Sequence, residues 1–165
     1  MMGATYYKEM AVALPGQVSD TSRYNIDGAC VLADTANLKA GVAVFVDAVE
    51  SDGVKQVKRV VQNKVPYGVA IRSHFATVNE GGQAVYVAGD GVNVMTVGRV
   101  WMIASTDFTP SFGSGLHINA NTGELQHDNS NNAVTPTGWT FAGGKTVVDN
   151  GGSKIYLLEV QLHQL

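Results

Sequence analysis

Apolar and polar positions alternate along most of this chain, and almost nowhere do they recur at helical spacing. The clearest alternation runs from Ala84 to Ser105. Two apolar runs, Ala84–Ala88 and Val92–Ile103, flank Gly89-Asp90-Gly91. A period of two sends successive side chains to opposite faces, so the pattern predicts a strand, a tight hairpin turn and a long second strand. Gly98 interrupts the long strand, and an isolated glycine there predicts a bulge or a corner. The same alternation predicts strands over Ala29–Asp34, Val42–Val49, Val69–His74 and Lys154–Leu162. Val54–Val61 alternates with more polar residues and reads as an edge strand. Asn121-Thr122-Gly123 predicts a small hairpin between Leu116–Asn119 and Glu124–Gln126, and Trp139–Ala142 and Lys145–Val148 are further strand candidates. The only short helical pattern is Tyr6–Leu14, ended by Pro15-Gly16, and it reads equally well as an extended arm.

About ten to twelve short strands joined by glycine turns predict an all-β fold, a single-domain β-barrel or jelly-roll-like sandwich. The expected division is an N-terminal arm and first turn over residues 1–27 and one barrel body over residues 28–165. A length of 165 residues suffices for one buried core, and 19 glycines against 4 prolines suit tight turns over long loops. No apolar stretch approaches the roughly 18 residues that span a bilayer, and the start of the chain lacks the pattern of a secretory signal.

Charge changes the picture little. The net charge is −3, whereas nucleic-acid binders carry clustered positive charge. The one basic cluster, Lys55, Lys58, Arg59 and Lys64, reads as a solvated strand edge. The single Cys30 lies among apolar neighbours and reads as a buried structural thiol.

Candidate chemistry is sparse. Ser73 and His74 are strand neighbours, face opposite ways and cannot form a dyad. The four histidines, at 74, 117, 127 and 163, fit no metal-ligand spacing. Asp47, Glu50 and Asp52 cluster near a turn without the frame of a calcium loop. Gly143-Gly144-Lys145-Thr146 matches half of a phosphate-binding loop and lacks the other half. No catalytic residue, cofactor or metal is therefore expected. Trp101, beside Arg99 in the long strand, reads as core or subunit contact. Trp139 follows a turn and reads as more exposed, an interface anchor. Tyr6, Tyr7 and Met10 of the arm, and Phe108 and Phe112 of the loop after the long strand, complete the set of expected contacts.

Several segments together resemble a known family. Pro15-Gly16 follows the short N-terminal segment. Gly41-Val42-Ala43-Val44 comes next, then Gly68-Val69-Ala70-Ile71-Arg72-Ser73-His74, Gly89-Asp90-Gly91-Val92-Asn93-Val94-Met95 and Gly98-Arg99-Val100-Trp101. In this order they are similar to the structural cement, or decoration, proteins of tailed-phage capsids. The resemblance covers most of the chain and leaves residues 127–137 and 143–152 unmatched. It implies a non-enzymatic virion protein that binds the outer face of the mature head and ties neighbouring major capsid subunits together. It also implies self-association as a dimer or trimer, with no direct contact to nucleic acid or membrane. Gly68, Arg72, Gly89, Asp90, Gly98, Arg99 and Trp101 carry the resemblance and are expected to brace the fold. The competing reading is a carbohydrate- or receptor-binding β-module of a virion, with Trp139 and the Asn-rich loop as its platform. A nucleotide hydrolase with shared sites between subunits is the third, and no phosphate-binding motif supports it.

Overall fold

The computed structural model of the chain describes residues 12–20, 23–59, 61, 64–73, 77–78, 83–130, 132–150 and 152–163. Every regular element among them is a strand. Five strands close on themselves: β1 (Asn25–Leu32), β4 (Lys55–Lys58), β3 (Ala43–Val49), β5 (Gly68–Ala70) and β8 (Gly91–Ala104), with β8 returning to β1. The remaining strands are β2 (Leu38–Lys39), β6 (Thr77–Val78), β7 (Ala84–Tyr86), β9 (His117–Asn119), β10 (Leu125–Gln126), β11 (Ala133–Val134), β12 (Thr140–Asn150) and β13 (Ser153–Leu162). The barrel-like sheet expected from alternation is present.

The organiser is β8. Its first half lies between β1 and β5. Its second half pairs with β13, from Gly98↔Leu162 to Ala104↔Tyr156. On the opposite edge of that half sits the chain entry: Gly16 N–H donates to Trp101 O (2.9 Å), Trp101 N–H to Gln17 O (3.0 Å) and Ser19 N–H to Arg99 O (2.9 Å). The strand is thus hydrogen-bonded on both sides for most of its length, and its Val-, Met- and Ile-rich sequence fits burial on both faces.

Gly98 is where β8 changes partners and phase. Its φ is +123°, a region closed to side chains with a Cβ. Ahead of it, Val92 and Val94 enter one apolar cluster with Leu32, Val44 and Tyr86. Behind it, Val100 and Met102 enter a second cluster with Ile118, Leu125 and Leu158, while Trp101 and Ile103 join the first. Even positions therefore swap cores across the glycine. A bulge adds one residue to a strand and so inverts its alternation. The pairing with β1 shows that added residue, stepping from Val97 to Met95 while β1 advances one position.

Three expectations are corrected. The turn at Gly89-Asp90-Gly91 forms, but its flanking strands do not make a hairpin: β7 pairs β2 and β6 in a separate sheet, while β8 joins the barrel. Both edges of β8's first half are already taken, so the turn passes the chain between sheets. Asp90 holds that turn, its carboxylate accepting Val87 N–H (2.8 Å) and its carbonyl accepting Leu32 N–H (3.0 Å). Next, β4 is not an edge strand. It lies between β1, in parallel, and β3. Its lysines are accommodated there by carboxylates: Lys55 meets Asp27 and Lys58 meets Asp47, each at 2.8 Å. Last, Trp139 is fully buried in the second cluster rather than exposed. Its indole N–H donates to His163 Nε2 (3.2 Å), which satisfies the ring's one polar atom inside the core.

The candidates Trp139–Ala142 and Lys145–Val148 are one strand, β12, whose pairing with β13 skips register between Phe141 and Lys145. The ring of Trp101 causes the skip, since a Cβ on Gly144 would lie 2.5 Å from its Cη2. The hairpin around Asn121-Thr122-Gly123 forms as expected, with β9 and β10 antiparallel.

Candidate functional site

Three of the segments that carry the family resemblance meet in a packing knot. Gly16 and Gly41 touch back to back, where a Cβ on either would come within 3 Å of the other's backbone nitrogen. Around them Gly41 N–H donates to Ala70 O (2.7 Å), Arg72 N–H to Gly16 O (2.9 Å) and Ile103 N–H to Gly41 O (2.9 Å). Four separate stretches of the chain are clamped here by backbone groups alone. Arg99 braces the neighbouring layer, donating through Nε to Gln161 (2.8 Å) and pairing with Asp20 at 3.4 Å. Gly68 packs against the backbone of Met95, Gly89 turns the chain into β8, and Trp101 is buried in the first core.

A second polar knot lies on the barrel wall. Asp27 accepts from Lys55 Nζ (2.8 Å), from Tyr67 OH (2.5 Å) and from Ala29 N–H (2.8 Å). Burial alone would raise the Asp27 carboxyl, but these donors outweigh it and hold it below the ordinary carboxylate range. Burial, with the carboxylate beside it, pushes the Tyr67 phenol far above its usual value. Cys30 is buried as expected, and burial pushes its thiol up to about 11, so it is no nucleophile near neutral pH.

Most of the acidic and basic groups singled out in the sequence have structural partners, the exception being Arg59, whose buried Nε is left without a hydrogen bond. Asp52 accepts Val54 N–H, Glu50 accepts from Gln56, and Lys64 donates to the carbonyls of Val46 and Asp47. Lys145 lies on a strand and binds Asp107 (2.6 Å) and Thr109 (2.8 Å). His127 packs edge-on against Phe108. No group of three or more metal-ligating side chains occurs among the described residues.

What the surface offers is apolar. Phe112 is 81% exposed, the most exposed of the large apolar side chains described. Its turn is held rigid: Gly113 N–H donates to Phe141 O, Phe141 N–H to Ser114 O, and the Ser114 hydroxyl to Ser111 O. Phe108, from the same loop, is instead half-buried against the second core. An open groove of about 720 Å³ forms elsewhere, lined by Val46, Val65, Pro66, Tyr67, Val97 and His163 among others. Val65, on its rim, is 72% exposed. Sequence reasoning missed this groove, because its lining comes from separate strands and loops. Tyr6, Tyr7, Met10 and His74 lie outside the described residues.

A chain with braced strands, engaged charges and exposed apolar loops has the form of a binding scaffold. A family model described as structural cement protein (E217 gp24/Pam3 gp6) matches residues 2–163. The chain belongs to this structural cement protein family. Among solved structures, a chain of "The capsid of Myoviridae Phage XM1" has a TM-score of 0.68 at 15% identity, covering 99% of this chain and 98% of that one. At that identity the likeness shows a shared fold. No curated protein matches. The cement protein is thus a structural protein of the phage virion with a capsid-stabilising role, and the burial of Trp139 removes the one platform on which the glycan-binding reading stood.

Proposed function

We propose that the protein binds the outer face of the mature head and bridges neighbouring major capsid subunits without doing chemistry. The observation that carries this reading is the family match over residues 2–163. The engagement of its lysines and carboxylates in the fold supports a passive role. A ligand that binds the assembled shell better than free subunits stabilises the shell by mass action, and many copies act together.

Bridging needs more than one apolar contact. Phe112 on its pinned turn supplies one, because an aromatic held in place loses little conformational freedom on docking. The rim of the groove at Val65 supplies another, with Tyr6, Tyr7 and Met10 of the arm as a third. Trp139 and Phe108 act indirectly, as supports of the surface above them.

The test is co-sedimentation of the purified protein with heads that lack it, before and after expansion. Saturable binding to expanded heads, with a rise in their temperature of disruption, is the expected result. Absence of binding to either form would overturn the proposal. Phe112→Asp should weaken that binding while leaving the thermal unfolding of the free protein unchanged.

A further inference from the structure

The strand β12 carries a free edge with a self-complementary sequence, and we infer that it is the joint at which two copies of this chain pair as a two-fold dimer. Among the described strands, β12 pairs with β13 alone. Gly115 and Ser114 cover its start at Thr140 and Phe141. From Lys145 to Asn150 no described strand lies beyond it, and the register with β13 is regular there. This stretch carries no proline and no bulge, two of the devices by which exposed edges are usually blunted.

The register fixes which backbone groups face outward. Asn150 pairs with Ser153 with two residues between them, so this pair closes the hairpin with mutual hydrogen bonds. Bonded and non-bonded pairs alternate in an antiparallel ladder. The pairs Asp149↔Lys154, Val147↔Tyr156 and Lys145↔Leu158 are therefore non-bonded ones. Their β12 members direct N–H and C=O away from β13, toward the open edge.

Those three residues read the same way in both directions. Antiparallel pairing of β12 with a second β12, centred on Val147, sets Val147 against its mate. Lys145 of each chain then faces Asp149 of the other. Every outward N–H in the stretch meets an outward C=O, which is the pattern of an antiparallel ladder. The side chains of Lys145, Val147 and Asp149 all lie on the exposed face, while Thr146 and Val148 turn inward. Each lysine thus comes beside a carboxylate, and the Val147 pair, 44% exposed in the single chain, is covered. Lys145 already holds Asp107, and an ammonium with three donors can serve both carboxylates. Self-complementarity of this kind favours an isologous contact between like chains over a strand from an unrelated partner.

Sedimentation equilibrium of the full chain tests the joint without heads, so its outcome is separate from that of the cement reading. A dimer is expected. Val147→Pro should convert it to monomer with the fold intact by circular dichroism, since the lost N–H faces away from β13. Lys145→Asp and Asp149→Lys should each weaken dimerisation by roughly tenfold or more, as like charges replace opposite ones. The double reversal should restore it, which a purely local role for either residue would not do. A monomeric wild type, or a dimer indifferent to both the proline and the charge reversals, overturns the inference. A monomer that loses head binding on Val147→Pro would instead assign the edge to a capsid strand.

Discussion

Single residues in this protein act mainly by shape. Gly98 sits at φ +123°, and a Cβ there would lie 2.8 Å from that of Tyr24. Gly98→Ala should therefore cost about 1–3 kcal/mol in denaturant unfolding, and the loss should exceed that of an alanine at the exposed Gly53, where nothing lies nearby. Trp139, fully buried, should cost about 3–5 kcal/mol on replacement by alanine. Any weakening of head binding in that variant should track the unfolded fraction, because the ring does not reach the surface. Asp27 sets a pH dependence. Its carboxyl is held below its unfolded value, so the stability it contributes is present above the unfolded carboxylate range and is lost as pH falls through the folded value. Asp27→Asn should flatten the acid limb of a stability-against-pH curve relative to the wild type, read by thermal melts from neutral to acid pH.

At the level of elements, local patterning and tertiary demand part company in instructive places. The alternation of β13 was legible because its pairing with β8 runs in unbroken register, and that of β3 because its register with β4 skips only after Val46, near its end. The two strand candidates from Trp139 onward are one, since the Gly143-Gly144 break makes room for the ring of Trp101, a residue distant in sequence that only the folded sheet brings near. The polar strand β4 looked like an edge because exposed lysines usually guard edges. Inside a closed ring they are tolerated by the carboxylates of β1 and β3. The chain entry is likewise part of the sheet from Gly16 to Ser19. Removal of residues 1–11 leaves these stitches in place, and the melting temperature of the truncated chain, measured beside that of the full chain, reports what those residues add to the fold. The same truncation should weaken co-sedimentation with heads if the arm carries contacts, and unchanged binding would exclude it.

For the whole molecule, the proposed bridging role rests on a braced scaffold joined to exposed apolar points. Two cores flank one sheet, so the scaffold presents its loops without large rearrangement. Heads loaded with increasing amounts of the protein should rise in disruption temperature with occupancy, measured by light scattering, as binding to the intact shell shifts its equilibrium. What the sequence determined by itself was the strand-rich architecture, the break in β8 at Gly98, the turn at Asn121-Thr122-Gly123 and the family, because period-two alternation and glycine placement are local signals. Only the tertiary structure decided which strands meet, that Trp139 is core, that the charges of β4 are paired, and that β12 keeps an open edge. Those outcomes depend on which side of each strand its neighbours occupy, and sheet partners drawn from distant parts of the chain leave no mark in local spacing.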